Sequence, residues 1–193
     1  MSELPEGAFQ PRSGKLGQRI SENPGEGQEP SLRFFIELGF APFEYEGETL
    51  TPLFRVDSIE VPVKSWRGLE LQNFEFPWAP KPGSVEAAML LFGEHNPADV
   101  TAIQFGSIED GKIQVSFETE VDFEMEADRD DLEQIEMSFS LALEIDPLQI
   151  ATSLEKRCQG DPDLIQEAVA PLVDLEAYAS IEKVPGGFVF PAD

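Results

Sequence analysis

One cysteine, Cys158, is too few for a disulfide within the chain or for a thiol cluster around zinc. There is one histidine, His95, and there are two tyrosines against fifteen phenylalanines. That ratio points to a dry, close-packed interior rather than an aromatic binding surface. Basic residues are scarce: 13 Lys and Arg against 38 Asp and Glu, a formal net charge of −25. Such a chain repels phosphate backbones and anionic lipid, so neither nucleic acid nor membrane is expected as a partner. It attracts basic protein surfaces. No stretch approaches the roughly twenty apolar residues that span a bilayer. MSELPEGAFQPRSG has no apolar run of signal-peptide type. The expectation is a soluble, cytoplasmic protein. Glycine-rich phosphate loops with their lysine are missing, as is a GxSxG nucleophile turn, and no cofactor is expected.

The 193 residues can bury a sizeable core in one domain. Residues 1–30 are rich in Gly, Pro, Glu and Gln, a composition that buries too little apolar surface to offset ordering. They read as a flexible N-terminal arm, and 31–193 as a single β-rich domain. Leu32, Phe34, Ile36 and Leu38 alternate as a strand does. FRVDSIEVPV (54–63) and WRGLELQNFEFPW (66–78) read as further strands, each changing parity midway as across a bulge. SVEAAMLLF fits a short helix or a buried strand equally well.

From residue 100 onward alternation is clearer. Thr101, Ile103, Phe105 and Ser107 lead to Glu109-Asp110-Gly111, which reads as a three-residue loop pairing Phe105 with Val115. KIQVSFETEVDFEME follows, with Ile113, Val115, Phe117, Val121, Phe123 and Met125 on one phase. The other phase carries Glu118, Glu120, Asp122, Glu124 and Glu126. QIEMSFSLALEID returns after ADRDD, and a turn centred on Arg129 sets Glu120 opposite Ser138 and Lys112 opposite Asp146. Asp122 then faces Glu136. Asp146-Pro147 and Asp161-Pro162 read as helix starts, with a capping Asp and Pro at the first position. Pro171 should kink or end the second helix. The expected fold is mainly β: an antiparallel β-sandwich-like domain with a long three-stranded meander (about 100–146). Two C-terminal helices (about 147–158 and 162–179) follow it.

Four constellations offer chemistry. His95, with Glu94 or Asp99 to orient it, has the makings of a general base, although Asn-Pro beside it reads as a surface turn. Carboxylate pairs suit glycoside hydrolysis, but 38 acids supply every spacing. ADRDDLE has oxygen ligands for calcium but lacks the spacing and glycine of a binding loop. Trp66, Arg67, Trp78 and Lys81 could form a stacking surface, with core or rim packing as the simpler fate of the indoles. Cys158 falls on the apolar face of a helix, as a small buried hydrophobe does.

The leading expectation is a non-catalytic interaction protein of inhibitor or antitoxin type. It would present Glu118, Glu120, Asp122, Glu124, Glu126 and Glu136 to a basic protein surface. A second reading is a structural subunit that reaches neighbouring copies with its arm and long hairpin. A third is a hydrolase using His95 or a carboxylate pair. No metal site is expected.

Overall fold

Strands form where apolar residues alternate, and also where they hardly do. The computed structural model describes residues 4–5, 7–23, 27–124 and 134–193. β1 (Pro11–Asn23) and β2 (Gln28–Phe40) are antiparallel neighbours. β3 (Phe43–Tyr45) and β4 (Glu48–Leu50) make a small separate hairpin. β5 (Leu53–Ile59) pairs with β2, and a 3-10 turn at Trp66–Leu69 leads to β6 (Asn73–Glu75). β7 (Glu86–Leu91), β8 (Glu94–Asp99), β9 (Ala102–Glu109), β10 (Lys112–Val121) and β11 (Ile135–Ile150) follow. Helices α1 (Thr152–Arg157) and α2 (Pro162–Val169) precede a last hairpin, β12 (Glu182–Val184) and β13 (Gly187–Phe190).

The domain is mainly β, with the long meander and the two short C-terminal helices expected of it. Its strand pairings run β1–β2–β5–β7–β8–β10–β11 and return to β1, closing a ring. Every junction is antiparallel except β11–β1, which is parallel. Phe54 on β5 meets Phe117 on β10 and Phe139 on β11 across the interior, with ring centroids 5.8 and 5.4 Å away. Phe117 and Phe139 also touch each other at 5.4 Å. The phenylalanine excess therefore fills the ring, and each such side chain contributes about 2 kcal/mol of burial. One apolar cluster continues from the ring to Leu154, Cys158, Ile165 and Val169, so the helices cover part of the same core.

Several expectations are corrected. The arm expected over 1–30 is, along Pro11–Asn23, a strand built into the sheet between β2 and β11. Its low hydrophobicity has a local cause. Leu16 and Ile20 are buried with Gln18 between them, and the amide of Gln18 donates to Asp146 O at 3.0 Å. Gly17 on the other face leaves room for the Phe35 ring, which a Cβ there would strike. Residues 66–72 are not a strand: the bulged pattern begins with the 3-10 turn, and only Asn73–Glu75 extends. SVEAAMLLF resolves as β7.

The expected helix at 147–158 starts only at Thr152, because Asp146-Pro147 lies inside β11. There the β1–β11 register slips by one residue, a bulge that seats a proline lacking an N–H. The second helix starts at Pro162, capped by the Asp161 side chain as expected, but ends at Val169 before Pro171. A 3-10 turn at Leu175–Ala177 replaces its expected end.

The β9–β10 turn has two residues, not three: Asp110 and Gly111 take φ of 52° and 72°, and Glu109 pairs with Lys112. A bulge then restores the expected Phe105–Val115 pair. The β10–β11 register differs by two residues from expectation, setting Glu118 opposite Ser138 and Glu120 opposite Glu136. Lys112 meets Glu144 instead of Asp146, with an ion pair at 3.3 Å.

Candidate partner-binding face

Inward Ile113, Val115, Phe117, Thr119 and Val121 hold β10 on the core, which turns Glu118 and Glu120 outward. β10 ends at Val121, so Asp122 and Glu124 lie past the strand. The Asp122 carboxylate accepts the Glu124 N–H at 2.9 Å, while the Asp122 N–H donates to Pro97 O at 2.9 Å. Glu126 and the ADRDDLE hairpin tip lie outside the described residues.

The acids are therefore not one stripe along a strand. Glu120 has Glu136 of β11 directly across on one side and Asp99 of β8 directly across on the other. Three carboxylates share one rung that crosses three adjacent strands spaced by about 4.8 Å. Like charges placed directly opposite destabilise a sheet. Among the described residues, no ion pair joins any of the three to a Lys or Arg. Four arginines are engaged elsewhere: Arg19 and Arg55 with Asp57, Arg33 with Glu60, Arg157 with Glu22.

β8 and β9 both pair antiparallel with β10, and they are halves of one bent strand. β7 runs beside the first half and β6 beside the second. The connection between β6 and β7, which contains a cis Ala79–Pro80 peptide bond, lines the clefts beside the rung. It is tied at its start by the Phe76 N–H donating to Thr101 O at 2.7 Å. Trp78 on this connection is 56% exposed and walls a cleft of about 420 Å³ whose other side is Asp99, Glu118, Glu120 and Glu136. A second cleft of about 730 Å³ shares Asp99 and Glu120 and continues over Pro80, Ala87 and Pro97 to Lys81.

Of the six expected partner-binding residues, the structure brings Glu118, Glu120 and Glu136 onto one cleft. Asp122 lies on the second, and Glu124 is exposed but on neither. Asp99 and Trp78 complete the face and were not in that set. Asp99 became legible only with the β8–β10 register, because Asn96-Pro97 reads as a turn in sequence. In the structure Asn96 is a buried strand residue whose amide donates to Met89 O at 3.0 Å and Leu91 O at 3.2 Å.

The other constellations separate. His95 is exposed, and neither Glu94 nor Asp99 hydrogen-bonds to it; Asp99 is four residues along the strand, about 13 Å away. Trp66 is buried, its indole donating to Ala177 O at 3.2 Å, and Arg67 lies over its ring at 5.2 Å and reaches Asp193 O at 2.6 Å. The two indoles thus belong to different regions. Cys158 is buried, as expected of its helix face. Among the described residues no group of three or more His, Cys, Asp or Glu is arranged to hold a metal. No helix among them is long and apolar enough to cross a membrane. Comparison with protein-family models, curated proteins and solved structures gives no match.

Proposed function

We propose that the protein is a non-catalytic interaction protein whose acidic face receives a basic surface of a protein partner. The observation that carries this reading is the rung of Asp99, Glu120 and Glu136, which makes no ion pair among the described residues and lies beside the exposed ring of Trp78. Aligned like charges weaken the fold, and a partner that supplies Lys or Arg converts that repulsion into attraction. The net charge of −25 adds long-range steering toward such a partner. The clefts are open and their carboxylates face water, so none is held in the dry pocket that a carboxyl general acid needs.

The test immobilises three forms: the unaltered chain, Asp99→Lys/Glu120→Lys/Glu136→Lys, and Asp163→Lys/Glu167→Lys/Glu176→Lys as a charge-matched control away from the face. Each is challenged with extract of the native cells at low and high salt. The reading expects a basic protein retained at low salt by the first and third forms and lost from the second. Equal retention by the second and third forms refutes it.

A further inference from the structure

The two clefts share Asp99 and Glu120 and so form one trough, lined in part by the connection from β6 to β7. One end has Trp78 and the carboxylate rung; the other adds Pro80 and Pro97, with Lys81, Glu86 and Asp122 also on its lining. On β8, buried Asn96 and Ala98 alternate with outward residues, so Pro97 and Asp99 face out together. Residues two apart on a strand stand about 6.6 Å from each other on one face.

We propose that this trough takes an extended segment of the protein partner in which an apolar residue and a Lys or Arg are two positions apart. The inference rests on the acidic face being a partner site and adds how the partner docks. An extended peptide repeats its side chains at the same 6.6 Å spacing as β8. Laid along the trough, it seats its apolar side chain against Pro97 and Pro80 while its cation reaches the rung. There the cation also meets the face of Trp78, where an exposed cation–aromatic contact contributes about 0.5–1 kcal/mol. Charge complementarity selects this occupant over a second copy of the chain, which brings its own net charge of −25.

The probes are two capped peptides of identical composition, GSLSRSG with Leu and Arg two apart and GSSLRSG with them adjacent. Binding is followed at low salt by the NMR signal of the Trp78 indole N–H, with the buried Trp66 indole as internal reference for an intact fold. The spaced peptide is expected to shift the Trp78 signal and to bind about threefold tighter than the adjacent one. Trp78→Ala, read on backbone amides, should erase that preference. Equal binding of the two peptides, or an unchanged preference in Trp78→Ala, overturns the trough. If the triple reversal of Asp99, Glu120 and Glu136 still abolishes binding in that case, the acidic face survives and only its docking mode falls. If that reversal also has no effect, both fall.

Discussion

Replacing Glu120 by Gln removes the central charge of the rung while keeping shape and hydrogen-bonding capacity. Its charged neighbours are Asp99 and Glu136 across the strands and Glu118 along β10, with Asp122 just past the strand end. Two unit charges about 6 Å apart in water repel by about 0.7 kcal/mol, and a Debye length of about 8 Å at physiological salt cuts this to about 0.3 kcal/mol. Relief from these neighbours together amounts to about 1 kcal/mol. For a chain of this length that is a rise in melting temperature of about 2–4 °C. At about 0.5 M salt the screening length roughly halves, and the gain should fall to less than half. Thermal unfolding of both forms at 0.05, 0.15 and 0.5 M salt (round values spanning about 14 to 4 Å of screening) reads this directly. A melting temperature that is unchanged or lower in Glu120→Gln refutes the reasoning, because it means a cation or donor already neutralises Glu120. The same substitution should weaken partner binding, the trade of stability for function expected where a site keeps strained electrostatics.

Two further predictions concern β1. The buried Tyr178 hydroxyl donates to Gln18 Oε1 at 2.6 Å, and burial raises its pKa above the ordinary tyrosine range. The folded state thus holds this proton more tightly than the unfolded chain. That stabilising contribution is complete below about pH 10 and is lost as pH rises toward the folded value. Tyr178→Phe should cost about 1–3 kcal/mol at pH 7 by leaving Gln18 without its donor, and should flatten the loss above pH 10; urea titrations at both pH values check this. Gly17→Val should destabilise by about 1–3 kcal/mol through collision with the Phe35 ring, and adding Phe35→Ala should recover part of the loss. Additive losses in the double variant would show that the ring is not the obstacle.

Strong alternation made β10 and β11 readable, because every inward position is apolar or, at Thr119, small. The capped start at Asp161-Pro162 was readable for the same local reason. β1 was not, since it gains its place from what lies beside it: a phenylalanine over Gly17 and a tyrosine bonded to Gln18. Asp146-Pro147 and Asn96-Pro97 carry turn or helix signals that tertiary pairing overrides. The acidic face was half legible. Glu118, Glu120 and Glu136 follow from phase, but the partner of Glu120 depends on a register shift of two residues set by a hairpin tip with no decisive turn signal. Asp99 depends on β8 and β9 being one bent strand, which nothing in their own sequence announces.

The parallel seam between β1 and β11 has a consequence for synthesis. β1 leaves the ribosome early, and the strand that completes it is made after all the other strands of the ring. Until then the nascent chain is an open, curved sheet with two waiting edges, one on β1 and one on the last strand made. Such edges invite pairing with a neighbouring chain on the same message. By the end of β10 the chain made so far, residues 1–121, carries 20 Asp and Glu against 9 Lys and Arg. Mutual repulsion then keeps sister chains apart through the interval in which each must wait to close on itself.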